Sequence, residues 1–325
     1  MATYKDIHGS SIQNVEGNPA NTIRGQFWYD SIASEFKYQD QVTDADGNAV
    51  GAWSTGGNLN TAKFLAAGAG TQTAALCFGG LDTAITADTE SYNGTAWVEV
   101  NNLNTARDSI AGTGTQTAAL AFGGEVPANT AKTELWNGYT WAEVNDLNAA
   151  GRSIGSAGTS TSALAFGGYR NPVVALTETW NGTNWTEVNN LNTARDAMGS
   201  AGASNTSALA FGGSPPPGVA NTESWNGTNW TEVNDLNTAK QQLAGTGTVP
   251  AALAFGGNPV TAATELWNGT NWTEVNDLNL ARRYLSGAGT QSAGLAFSGG
   301  PPATGSTEEW SGTGFVIKTL TTTND

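Results

Sequence analysis

Covalent or metal chemistry needs nucleophiles, ligands and acids in workable combinations, and this chain is short of them. His8 is its only histidine and Cys77 its only cysteine. Cys/His zinc sites are therefore excluded, as is a disulfide within one chain. A Ser-His-Asp triad would have to be built on His8, which lies in a polar N-terminal stretch. Carboxylates remain. They fall into two series, Glu90, Glu134, Glu178, Glu223, Glu265, Glu308 and Glu99, Glu143, Glu187, Glu232, Glu274. Glycoside hydrolysis needs two carboxyl groups about 5–10 Å apart in contrasting environments. Copies related by a repeat share one environment, so both series are expected to be structural. Arg107, Arg152, Arg195 and Arg282 also recur at equivalent repeat positions and are expected to pair with repeat glutamates or turn carbonyls. Asp44-Ala45-Asp46-Gly47 is the nearest approach to a calcium loop but lacks its full ligand pattern, and it reads as a plain turn. No catalytic residue, metal or cofactor is expected.

Composition points the same way. The 325 residues include 42 glycines, and only 13% are charged, about half the usual share. That mix suits many short strands and tight turns and leaves little material for surface helices. A net charge of −15 carried on 28 acidic and 13 basic residues argues against a nucleic-acid partner, which needs a basic stripe. The longest apolar runs are near five residues, as in Ala118–Phe122, so no membrane insertion is expected. Met1–Ser11 has no apolar core of a signal peptide. Asn-Gly-Thr and Asn-Trp-Thr recur, as at Asn181 and Asn184, and are read as turn chemistry rather than glycosylation sites.

Position along the chain is governed by a repeat. The run Ala-Leu-Ala-Phe-Gly-Gly, or a close variant, places Phe78, Phe122, Phe166, Phe211, Phe255 and Phe297 at spacings of 44, 44, 45, 44 and 42 residues. Thr-Glu-x-aromatic-Asn-Gly-x-x-Trp follows, with the pairs Tyr92/Trp97, Trp136/Trp141, Trp180/Trp185, Trp225/Trp230 and Trp267/Trp272, degrading to Trp310/Phe315. Leu-Asn-Thr-Ala-Arg then closes the unit at Leu103–Arg107 and Leu191–Arg195, with Lys63 and Lys240 as variants. In the last copy Ser298 reads as an insertion before Gly299 and Gly300.

Each unit reads as four strands. In the second, these are a (Arg107–Gly112), b (Thr117–Phe122), c (Thr133–Trp136) and d (Trp141–Asn145), with Asn137-Gly138 as a hairpin turn, since both residues tolerate positive φ. Small residues suit inner strands crowded round an axis, and tryptophans suit outer strands where blades diverge. The expected fold is all-β, a β-propeller of six four-stranded blades. Trp53 lies six residues before Leu59, as Trp97 lies before Leu103, so it is a lead-in or an addition to the closure, with a seventh blade as the alternative. The expected division is an N-terminal attachment and oligomerisation segment, 1–52, and a propeller, 53–325.

The order Gly-Gly, Glu-x-aromatic, Trp, Leu-Asn-Thr-Ala-Arg resembles the kelch repeat over about residues 53–318. Some kelch propellers are copper-radical oxidases, but that chemistry needs histidine and tyrosine ligands with a Tyr-Cys crosslink, which His8 and Cys77 cannot supply. Gly25-Gln26-Phe27-Trp28-Tyr29 resembles a hairpin near the start of bacteriophage tail and fibre proteins, and the near-identical repeats resemble those of structural proteins in marine and cyanobacterial phages. The resemblance implies a non-enzymatic virion structural protein, a tail-fibre, tail-associated or capsid-surface component, folded in the host cytoplasm and carried in the particle. Its implied partners are other virion proteins and a host-surface glycan or protein. The alternatives are a cellular or secreted carbohydrate-binding propeller and a glycoside hydrolase.

Within 1–52, Phe27–Asp30 and Glu35–Tyr38 read as a hairpin whose Phe27, Trp28, Tyr29, Phe36 and Tyr38 are too apolar to leave exposed and too few to fold alone. The segment is expected to drive attachment and homo-oligomerisation. Compared with one another, the repeats keep their strands and change their b–c connections. Divergent loops on a constant scaffold suit a binding surface. The candidates there are Asp82, Glu125, Tyr169, Arg170, Asn171, Pro215, Pro216 and Asn258, with Tyr169 expected to offer a stacking face and Arg170 a fork of donors.

Overall fold

The computed structural model describes residues 13–15, 27–31, 35–41, 51–312 and 315–319. Among these residues there is no helix, and the region Trp53–Gly312 is a six-bladed β-propeller. In blade 1 the strands are a, Ala67–Thr71; b, Ala74–Phe78; c, Thr89–Tyr92; and d, Trp97–Val100. Blades 2 to 5 repeat this order between Ala111 and Val144, Gly155 and Val188, Gly199 and Val233, and Ala244 and Val275. Each is an antiparallel meander. Strand a of blade 2 begins at Ala111, so Arg107–Ile110 belongs to the d–a link rather than to the strand.

The sixth blade settles the position of Trp53. Its strands a to c are Ser286–Gly289, Ala293–Phe297 and Thr307–Ser311, and its outer strand is Ala52–Thr55. Among the described residues there is no seventh blade, and Phe315 does not supply strand d of the sixth. Phe315–Thr319 pairs instead with Glu35–Gln41, in a separate four-stranded sheet completed by Phe27–Asp30 and Gln13–Val15. In that sheet Phe27 and Tyr38 are paired in register, as are Trp28 and Lys37, and the rings of Tyr29 and Phe36 lie 5.1 Å apart. The Asp44–Gly47 turn, His8, Gly25 and Gln26 lie outside the described residues.

The core consists of six clusters between neighbouring blades. In strand b, Leu76 and Phe78 face blade 2, while Ala75 and Cys77 face blade 6; all four are fully buried. Burial on both faces explains the absence of polar alternation. Cys77 is enclosed there, and burial pushes its thiol pKa up to about 12, so it is no nucleophile at neutral pH. Each strand-b phenylalanine meets the strand-d tryptophan of the next blade: Phe78–Trp141, Phe122–Trp185, Phe166–Trp230, Phe211–Trp272, Phe255–Trp53 and Phe297–Trp97, with centroids 4.8–5.0 Å apart. The glycines of strand a make room for these rings. A Cβ on Gly112 would lie 2.4 Å from Phe78 Cζ.

Two hinge positions depart from the simplest sequence reading. The c–d connection is a four-residue loop, because Trp136 pairs with Trp141. Only Gly138 has positive φ; Asn137 instead accepts the amides of Tyr139 and Thr140 on Oδ1, at 2.9 Å each. Ser298 is a substitution rather than an insertion. It has φ of 61°, as Gly79 has 65°, and the amide of Gly299 donates to Lys63 O as that of Gly80 donates to Arg107 O.

Candidate functional site

The two repeat signatures form a lattice that leaves few of their polar groups free. Asn104, in the link before blade 2, donates its amide and side chain to Glu134 Oε2 and its side chain also to Trp141 O. The same pattern joins Asn60 to Glu90, Asn148 to Glu178, Asn192 to Glu223, Asn237 to Glu265 and Asn279 to Glu308. A buried cation takes the other oxygen of each glutamate: Lys63, Arg107, Arg195, Lys240 and Arg282 for Glu90, Glu134, Glu223, Glu265 and Glu308. Burial lowers the pKa of Arg107, Arg195 and Arg282, and the facing glutamates oppose that shift. The Glu90 series is thus structural, as its repetition implied.

Blade 3 breaks the pattern. Gly151 stands where Arg107 stands in the link before blade 2, and Arg152 is displaced by one residue. The cation on Glu178 comes from Arg170, in the b–c loop, whose Nη1 lies 3.1 Å from Glu178 Oε1 and also donates to Ala149 O. The Arg170 side chain is only 5% exposed. It fills the space beside Gly151, where a Cβ would approach Arg170 Cγ to 2.7 Å. Arg170 therefore holds the loop down and presents no fork of donors to solvent, and Arg152, expected to pair with a repeat glutamate or a turn carbonyl, is half-buried on the loop face and pairs with Glu125 of the preceding b–c loop.

The freed Arg152 builds a cluster on the loop face. It pairs with Glu125 and lies 4.8 Å above the ring of Tyr169. One face of Tyr169 is therefore already covered, by a guanidinium. Tyr169 Oη contacts Asn171 Oδ1 at 3.4 Å, and Asn171 is exposed with φ of 60°. Asp108, beside Glu125, is only 6% exposed. Burial raises its pKa, helped by Glu125, against the hydrogen bond from Ser109 and the charge of Arg152. A carboxyl raised in the fold favours folding below its unfolded pKa and loses that contribution as pH rises through the folded value. Asp108→Asn should therefore raise the melting temperature at pH 7, with the gain shrinking as pH falls toward the unfolded carboxyl value near 4 and levelling off below it. A thermal-shift series across that range checks the sign.

The loop face is assembled as the repeat comparison anticipated. In each blade the d–a link pairs with the start of the b–c loop: Phe64 with Leu81, Asp108 with Glu125, Arg152 with Tyr169, Gln241 with Asn258, and Arg283 with Gly300. In blade 4, Ser214 N donates to Asp196 O. Asp82 is exposed in the first loop. Asn258 accepts from Arg283 Nη1 at 2.7 Å, and Arg283 lies 5.3 Å over Tyr284, whose ring centroid is 6.0 Å from that of Phe64. Pro215 and Pro216 are exposed and wall a cleft between blades 3 and 4.

One feature of this face has no counterpart in the sequence reading. Leu65, Ser109, Ser153, Ala197, Gln242 and Tyr284 all have φ between 49° and 58°. Their amides and carbonyls form a closed belt: Leu65 donates to Tyr284, Tyr284 to Gln242, Gln242 to Ala197, Ala197 to Ser153, Ser153 to Ser109 and Ser109 to Leu65, at 2.7–3.1 Å. Six non-glycine residues in the left-handed region are held there by a ring of hydrogen bonds around the axis. Behind them Ile110, Ile154, Met198, Leu243 and Leu285 are buried, and with Ala66 they line the axial cavity of about 120 Å³. The belt residues and their predecessors, Phe64, Asp108, Arg152, Asp196, Gln241 and Arg283, vary in type among the repeats, with five types over six belt positions and four over six predecessors. The comparison of repeats could have found them one and two positions beyond the Leu-Asn-Thr-Ala-Arg segment and its variants. No protein-family model and no curated protein matches this sequence.

Proposed function

We propose that this chain is a non-enzymatic binding propeller of a bacteriophage particle, with segment 1–52 attaching and oligomerising it and the loop face engaging a host-surface glycan or another virion protein. One observation carries the binding reading: the interior is built from six near-copies of one polar lattice, while the divergent side chains of the links and b–c loops gather on one face. An enzyme would need contrasting carboxylates in a shared cleft, whereas the Glu90 series is neutralised pair by pair. The placement in a particle rests on the Gly25–Tyr29 segment and on the near-identity of the repeats, and homo-oligomerisation on the aromatic content of the Phe27–Tyr38 hairpin.

Mass spectrometry of purified particles should recover the full chain at constant copy number through successive density gradients. The soluble full chain should also compete with particles for adsorption to host cells. Recovery only from cell or secreted fractions would leave a cellular carbohydrate-binding propeller. Release of reducing sugar from host polysaccharide by the purified chain would overturn the non-enzymatic reading.

A further inference from the structure

The loop face is not uniform, and one part of it is concave. A cleft of about 540 Å³ lies between the loops of blades 3 and 4, within the size range of small-molecule sites. Its walls include Val173, Pro215 and Pro216, and its polar lining includes Asp196, Ser214 and Gln241. The frame is fixed by the backbone. Ser214 N donates to Asp196 O and Ser214 Oγ approaches Asp196 N at 3.2 Å, while Gln241 N and Asn258 N exchange hydrogen bonds with each other's carbonyls. Gly218 N closes the proline loop onto Pro215 O.

The side chains left over are informative. Among the described residues, neither the Asp196 carboxylate nor the Gln241 amide has a hydrogen-bond partner within the protein. Elsewhere on this face the comparable groups are engaged: Glu125 by Arg152, and Asn258 by Arg283. A carboxylate accepts hydroxyl protons, and a primary amide both donates and accepts. The proline rings and Val173 add an apolar wall without a charge. The lining holds one carboxylate and no cation, which disfavours phosphate and acidic sugars. A single carboxylate with an amide and a flat apolar wall is matched by neighbouring hydroxyls on one edge of a ring and C–H groups on its face.

We propose that this cleft is a subsite for a neutral saccharide, held by Asp196 and Gln241 against Pro215 and Pro216. The proposal rests on the loop face being the binding face and names its ligand class and the residues that read it.

The test is titration calorimetry on the full chain with three neutral trisaccharides, of glucose, galactose and mannose, at millimolar concentration. At least one should bind. Asp196→Ala and Gln241→Ala should each weaken that binding at least tenfold, and Tyr139→Ala, in the exposed c–d loop of blade 2, should leave it unchanged. Circular dichroism and melting temperature would show that the variants remain folded, and the milder Asp196→Asn provides a second reading if the alanine variant does not. No binding of any trisaccharide, or binding indifferent to both cleft substitutions, overturns the proposal. If adsorption to cells is still competed by the soluble chain in that case, the binding face stands and only its saccharide subsite falls.

Discussion

Trp53→Ala should destabilise the propeller by about 3–5 kcal/mol, the usual cost of truncating a buried tryptophan. Trp53 packs on Phe255 at 5.0 Å and Trp310 at 5.4 Å, and its Nε1 donates to Thr264 Oγ1 at 3.0 Å. Each of these contacts belongs to a six-fold series. Trp97, Trp141, Trp185, Trp230 and Trp272 donate to Thr307, Thr89, Thr133, Thr177 and Thr222, always one blade back, so the donation from Trp53 to Thr264 completes a ring. What differs is connectivity. Trp185 sits on a strand continuous with its own blade, whereas the strand of Trp53 is joined to the rest of blade 6 only by side chains and ladder bonds. Trp185→Ala should thus cost a similar amount in urea denaturation, but only Trp53→Ala should open the seam between blades 5 and 6 to limited proteolysis. Equal protease resistance of the two variants would show that this strand is not the closure.

The second large effect is expected at Arg170. Arg170→Ala leaves Glu178 buried without its cation, and breaking a buried pair from one side costs about 3–5 kcal/mol. The repeat itself suggests the repair. Placing arginine at 151, where the other links carry Arg or Lys, should recover much of the loss in the double variant Gly151→Arg/Arg170→Ala. Gly151→Arg alone should destabilise, because even its Cβ would meet the Arg170 side chain. Denaturation midpoints of the three variants and the parent close a double-mutant cycle. Additive effects would show that the two positions do not share one cation site. Such a cycle also separates the anchoring of the loop from ligand binding, since the repaired variant keeps Tyr169 and Arg152 on the surface.

Architecture was legible in the sequence because a propeller repeats its instructions. Five copies of Phe-Gly-Gly and Asn-Gly-x-x-Trp and a degraded sixth sample the same contact repeatedly, so the strand order, the position of the aromatic wedge and the structural role of the Glu90 series follow from pattern alone. The spacing of Trp53 from Leu59 already placed it in register with Trp97. Side-chain destinations were less legible wherever a repeat departs from the others. Nothing local distinguishes an arginine that reaches inward from one that lies on the surface; the exchange of Arg152 for Arg170 is decided by the space beside Gly151 and by an unpaired buried carboxylate. Likewise Leu65, Gln242 and Tyr284 share no residue type, and no propensity places them at positive φ. Their conformation comes from closing the ring, since each amide must find the carbonyl of the preceding blade once six strands crowd one axis. Repetition was enough to define the blades and the aromatic wedge between them, whereas which link and loop side chains stay exposed depends on burial and pairing with the neighbouring blades, one repeat away in the chain.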